Sequence, residues 1–258
     1  MSVSATQLCI TVQAQGLPRP ADSWATSLIQ SRNPAPPFPA LVATAKSRLL
    51  ASDWTTAGLL DANSTISFPA NIASANVQQT RLSHNVYVQV LDIENLSKSR
   101  WEQVEELEAI ERGEQTRGRE IIRLPTGNDD NEVSDIGSTQ ATQALGATQI
   151  GGRQAAANAA AAKNWTHRLV IQDCKGQKVF GLELGRIDRI SIGSTNIGEK
   201  ALIKAGTSIA RGTLLLEPTN CQFFGGKVEV WQKDWLEKRL GRLKEAAAVS
   251  DPQANARR

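Results

Sequence analysis

Two histidines, three cysteines and a run of glutamates are the side chains whose types could do chemistry. His84 and His167 could serve as general bases or metal ligands, but they lie far apart and neither has a Cys or His nearby at ligand spacing. Cys9, Cys174 and Cys221 could act as nucleophiles or redox pairs. None is paired at a metal or redox spacing, and the odd number points to free thiols in a reducing compartment. The dense carboxylates at 102–114 lie on one solvated helix face, whereas paired catalytic carboxylates need a pocket that shifts their pKa values. Gly151-Gly152 and Gly225-Gly226 lack the Gly-Lys-Ser/Thr context of a phosphate loop, and no Gly-x-Ser-x-Gly elbow occurs. Lys200, after Gly198-Glu199, could contact a partner or a phosphate, against the plainer reading of a solvated lysine at a strand start. These residues name no catalytic group, no metal site and no cofactor, so the chain reads as a binding protein and not an enzyme.

The elements that would position such residues follow from composition and pattern. The 258 residues suffice for one good-sized domain or two small ones. Hydrophobic content is 40% and aromatic content 5%, which predicts a core smaller than the length suggests. A net charge of +3 is too weak to argue for nucleic acid by itself. The first residues lack a charged n-region and a long apolar run, and no window approaches a membrane span, so a soluble, intracellular protein is expected.

Ala21-Asp22-Ser23 caps a helix carrying Trp24, Leu28 and Ile29, which Asn33-Pro34-Ala35-Pro36-Pro37 ends. Pro39 opens a second helix with Leu41, Val42, Ala45, Leu49 and Leu50 on its apolar face. Asn85 to Ile93 alternates Val86, Val88 and Val90 with Tyr87, Gln89 and Leu91, the pattern of a strand. A helix follows over Lys98 to Gly113, with Trp101, Val104, Leu107 and Ile110 recurring every third residue. Residues 115–163 turn to Gly, Thr, Gln, Asp and Ala, the composition of a disordered insertion. Strands return at Arg168–Gln172, Lys178–Leu184, Lys200–Ala205 and Gly212–Leu216, with a bulge or close contact expected at Gly181. Cys221-Gln222-Phe223-Phe224 is a further short apolar run, ended by Gly225-Gly226, and an amphipathic helix starts at Val228.

The expected class is therefore α+β: a small N-terminal helical bundle, then a five-stranded OB-fold barrel with a long insertion between its first and second strands, and a C-terminal helix. The helical unit spans 1–62, a link 63–84, and the barrel domain 85–247 with its largely disordered insertion at 95–163. A disordered tail spans 248–258.

Trp101, on a short helix beside a polar stretch, reads as a partner-docking anchor more than as a cover for the barrel. Trp231 and Trp235 read as core of the last helix. Tyr87, Phe180, Phe223 and Phe224 could stack bases, but their place within apolar runs favours the core.

In this order the pieces resemble the N-terminal part of the RecQ-mediated genome instability protein 1 family. Trp24-Ala25-Thr26-Ser27-Leu28-Ile29 is similar to its first helix. Leu49-Leu50-Ala51-Ser52-Asp53-Trp54 is similar to its "LLxSDL" helix end, with Trp54 in place of Leu. Tyr87 to Ile93 resembles the first barrel strand, and Ser99 to Glu105 with Glu111 to Glu114 resembles fungal members. Leu169 to Glu183 is similar to "LTDG…GME", and Gly198 to Ile203 to "PGTKILI". Gly212-Thr213-Leu214-Leu215-Leu216-Glu217-Pro218-Thr219-Asn220, through Gly225-Gly226-Lys227-Val228, is similar to "GxLLLxPxNvxvLGGxV". Asp173-Cys174-Lys175-Gly176 is longer than the family's turn, and Asn196-Ile197-Gly198 replaces Pro-Pro-Gly. As in short fungal members, no second barrel is expected after residue 250.

The resemblance implies a nuclear, non-catalytic scaffold that needs no cofactor. It would bind topoisomerase III (a type IA enzyme) and a RecQ-family helicase and promote double Holliday junction dissolution. The insertion would bias the topoisomerase gate, with Arg100, Trp101, Gln103, Val104, Glu105 and Leu107 as its partner-binding residues. Lys200 would be a weaker partner or DNA contact, with branched or single-stranded DNA met within the complex. The competing reading is an OB-fold protein that binds single-stranded DNA directly. A generic adaptor with another partner is a third.

Overall fold

The computed structural model describes residues 4–31, 36–116, 119–120 and 166–249. Chain contacts divide them into two units: described residues within 1–97 and 166–239 form the larger, those within 98–165 and 240–258 the smaller. The expected disordered insertion and tail lie outside the described residues, apart from 115–116, 119–120 and 248–249.

Three helices open the larger unit: α1 (Ala5–Ala14), α2 (Asp22–Gln30) and α3 (Phe38–Ala51). The last two were expected; α1 was not. Its buried set is only Leu8, Cys9 and Val12, and the β-branched Ile10, Thr11 and Val12 weaken its helical propensity. Its signals are positional: the i, i+1, i+4 spacing of those residues, and Gly16 in the left-handed region at φ +84° just past its end. With Leu28, Leu41, Val42, Ala45, Leu49 and Trp54 they enclose one apolar core.

After the helices come β1 (Gln79–Arg81), β2 (Val86–Asn95), α4 (Arg100–Glu111), β3 (Gln115–Thr116) and β4 (Arg119–Glu120). They are followed by β5 (His167–Asp173), β6 (Lys178–Glu183), β7 (Lys200–Ile203), β8 (Ser208–Ala210), β9 (Thr213–Leu216), β10 (Cys221–Gly225) and α5 (Glu229–Val249). Eight strands form the curled OB sheet in the order β1-β8-β9-β6-β5-β2-β7-β10. The five expected strands are β2, β5, β6, β7 and β9. The structure adds β1, β8 and β10, so the short apolar run at Cys221 is an edge strand paired to β7. β6 and β9 run parallel.

β2 serves two neighbours. Val86–Gln89 pairs with β7 and Val88–Asn95 with β5, and a register shift between Val90 and Asp92 accompanies the change. Val86, Val88, Val90 and Ile93 point into the core with Leu169, Ile171, Val179, Ile203, Leu214 and Leu216. At Gly181 a Cβ would come within 2.8 Å of Leu216 Cδ1, which is the close contact expected there. The link segment supplies Phe68, Ile72 and Leu82 to the same core. Trp235 closes it, buried, with its indole N–H donating to Asp92 Oδ1 at 2.5 Å. Trp231 packs against it partly buried.

The helices and the sheet of this unit meet at a tight seam. Gly226, at φ +85°, lies so close to α3 that a Cβ there would be 2.4 Å from the Leu50 carbonyl oxygen. Tyr87 donates its hydroxyl to the Gly16 carbonyl at 3.0 Å and packs beside Trp54 and Phe224.

In the smaller unit α4 starts on a capping box. The Ser99 hydroxyl accepts from the Glu102 backbone N–H, and the Glu102 carboxylate accepts from the Ser99 N–H. Arg100 donates to the Ala246 carbonyl at 3.2 Å, and Lys244 pairs with Glu108 at 2.7 Å, which fixes α4 to the end of α5. β3 and β4 form a short antiparallel pair.

Candidate functional site

On α4 the expected docking residues divide. Trp101 is 52% exposed and Glu105 is exposed, while Arg100 and Leu107 are partly covered. Gln103 and Val104 are buried, and Gln103 donates to the Lys98 carbonyl at 3.1 Å. Those two hold the helix and do not offer it, a correction to their expected role. The physical reason is rotation: a three-residue step falls about 60° short of a full turn, so Trp101, Val104 and Leu107 spread around the helix. The Glu102 carboxyl is held below its usual range by donation from the Ser99 backbone and hydroxyl. That of Glu108 is lowered by the hydrogen bond and charge of Lys244.

Lys200 is neither a surface contact nor a solvated lysine; it is 0% exposed. Its strand lies between β2 and β10, and Trp54 covers it from the helical side, with Nζ 5.2 Å from the ring centroid. Nζ donates to Gln89 Oε1 at 2.8 Å. The same oxygen accepts from the Trp54 backbone N–H at 3.1 Å, and Gln89 Nε2 donates to Asp53 Oδ1 at 2.7 Å and to Gln172 Oε1 at 3.2 Å. Burial pushes the lysine down to about 7, against a partial upward pull from Asp53. Burial works to raise Asp53, but hydrogen bonds from Gln89 and Thr55 and the charge of Lys200 leave its pKa lowered. The network joins helices to sheet, with Lys200, Gln89 and Trp54 buried and Asp53 and Gln172 partly exposed at its edge.

His167 is also buried. Its Nδ1–H donates to Glu183 Oε2 at 2.8 Å, a base–orienter pair in form. Glu183 accepts as well from the Ile187 and His167 backbone N–H groups, and His167 Nε2 meets no partner among the described residues. With no nucleophile against Nε2, the pair satisfies the sheet interior. Cys9 and Cys221 are free, buried thiols pushed up to about 11 by burial, with Asp22 assisting at Cys9; Cys174 is free and raised, also chiefly by burial. Among the described residues no three metal-ligating side chains cluster, and no helix is long and apolar enough to cross a membrane.

The aromatic residues expected in the core split as well. Tyr87 and Phe224 pack against the helical core and Phe223 against that of the barrel. Phe180 does not; it is 45% exposed on the outer face of the sheet, with the Arg168 guanidinium 4.9 Å from its ring centroid. Arg168 is in turn paired with Glu94.

Two family models match the chain: "RMI1, N-terminal OB-fold domain" over residues 68–239 and "RMI1, N-terminal helical domain" over residues 13–57. The chain is similar to the RecQ-mediated genome instability protein 1 of Schizosaccharomyces pombe, 31% identical over 162 residues. The match covers 62% of this chain and 63% of that relative, so the chain spans less than two thirds of its length.

Proposed function

The chain belongs to the RecQ-mediated genome instability protein 1 family, and on that premise we propose that it is a non-catalytic scaffold of a RecQ helicase–topoisomerase III complex. In this reading it acts in the nucleus, promotes double Holliday junction dissolution, and regulates the topoisomerase gate through the insertion between β2 and β5. The carrying observation is Trp101: a large apolar side chain, half exposed, on a capped helix inside that insertion. Exposed Trp is unusual enough on a polar helix to support an anchor role.

Gate regulation needs no catalytic group. A strand-passage enzyme must hold its gate open for passage and then reclose it. A protein that binds one gate state better shifts the equilibrium by its differential affinity, and a tenfold shift takes about 1.4 kcal/mol. One buried anchor supplies energy of that order.

Trp101→Ala tests the reading, because removing an exposed ring leaves no cavity in the fold. The variant should lose capture by a type IA topoisomerase and stimulation of decatenation, with its thermal midpoint unchanged. Unchanged capture and decatenation would reject α4 as the gate-directed element. A second reading, direct contact with single-stranded DNA, draws support from one observation, the exposed Phe180 beside Arg168.

A further inference from the structure

We propose that the groove between α1 and α3 is a docking site for an acidic amphipathic helix of another protein. The site lies on the helices of the larger unit, apart from α4, and does not rest on the scaffold reading.

The groove follows from how the two helices divide their faces. α1 buries Leu8, Cys9 and Val12, and α3 buries Leu41, Val42, Ala45 and Leu49. Beside those sets the flanks of the helices leave a cleft of about 430 Å³. Thr11 and Gln15, one turn apart, form the α1 wall. Pro39 and Ala43, also one turn apart, form the α3 wall with Phe38, over the buried Val42. The Thr11 hydroxyl donates to the Gln7 carbonyl of its own helix at 2.8 Å, so its donor is already used.

The shape suits a helix. Gln15, Pro39, Ala43 and Lys46 are all exposed, so the cleft is open along its rim. A small-molecule site would be enclosed and would carry several convergent polar groups. Here the α3 wall is apolar and Lys46 is the one charge on the groove. From Pro39 to Lys46 α3 rises about 10 Å, or two turns. A helix offers its apolar anchors at i, i+4 and i+7 over that length. The small side chain of Ala43 lets a second backbone come close.

Charge selects the partner. α1 carries no charged residue, and α3 carries Lys46 and Arg48 but no acid. The carboxylates of residues 1–62 are Asp22, Asp53 and Asp61. Asp22 and Asp61 pair with Arg19, and Asp53 is engaged by Gln89 and Thr55. Neither Lys46 nor Arg48 has an ion pair among the described residues. An apolar groove with a free cation at its rim matches a helix whose apolar stripe is bordered by Asp or Glu, and repels a basic one. A two-fold contact would set this patch against itself, cation facing cation, so a second copy of the chain fits it poorly. Arg48 stands about 160° round α3 from Lys46, off the groove, and adds to the field without making a contact.

The test is a selection of phage-displayed random peptides of about eighteen residues, long enough to hold a helix, on the full chain. Enriched peptides are then titrated by fluorescence anisotropy. They should carry more Asp and Glu than Lys and Arg, with large apolar residues at i, i+4 and i+7. Ala43→Arg blocks the groove from an exposed position where arginine is a good helix former, so the thermal midpoint should hold while affinity falls about tenfold or more. Lys46→Glu should weaken binding about fivefold. Arg48→Glu should weaken it by less than about twofold at about 0.15 M salt, where distant charges are screened. Trp101→Ala should bind the peptides as the parent does, which separates this outcome from that of the scaffold reading. Equal enrichment on Ala43→Arg, no enrichment on the parent, or enriched peptides of net positive charge would overturn the proposal. So would a dimer in sedimentation equilibrium that Ala43→Arg dissolves, since the occupant would then be a second copy.

Discussion

A lysine cut off from water must find its stabilisation inside the fold, and Lys200 does so through Gln89, Asp53 and Trp54. Its pH dependence has a definite sign. In the unfolded chain it stays protonated to its ordinary value near 10.5, and in the fold it releases its proton near 7. Between those values the unfolded state binds more protons, so stability should rise with pH across that window, by up to about 1.4 kcal/mol per unit. Asp53 acts at the acid end, where its stabilisation is lost as pH falls through its lowered value. Urea unfolding between about pH 7 and 8.5, below the ordinary thiol value of 9.0 above which the raised Cys9 and Cys221 pull the other way, should show the rise in the parent and lose it in Lys200→Met. A rise that persists in Lys200→Met would mean that another group titrates there. Neither this burial nor the exposure of Phe180 was legible in the sequence. A buried lysine depends on Gln89 and Trp54, more than a hundred residues earlier. In KVFGLEL both parities carry apolar residues, and the one that faces inward is decided by Glu183, which His167 and the Ile187 N–H satisfy.

The elements were more readable where local pattern and packing agree. The valines of β2 and the apolar face of α3 face their cores as their spacing foretold. β1 and β8 are three residues each and exist through pairing with one another and with β9, which no local pattern announces. For α4 the local signal is the cap. Ser99→Ala should cost the helix about 1 kcal/mol. Hydrogen exchange should show it as faster exchange of amides 102–105 with the β5 amides unchanged, and unaltered protection at 102–105 would show that packing and not the cap holds the first turn. The candidate docking helix was thus foreseen as an element, while the residues it turns outward were foreseen only for Trp101 and Glu105.

At the scale of the molecule, the burial of the His167–Glu183 pair and of the free thiols of Cys9 and Cys221 was not readable in the sequence, since each depends on how distant segments pack. How the helices and the sheet of the larger unit join was not readable, because Gly226, Tyr87 and the Gln89 set come from distant segments. That seam should make the covalent thread between them dispensable. If the backbone were cut between 62 and 67, each fragment would carry half of a polar set that only the other can complete. The cut chain should still travel through a sizing column as a single particle, and fragments made separately should reassemble on mixing. Separate elution would show a seam too weak to hold without the thread. A protein joined in this way can be handled as a two-piece reporter of its own assembly.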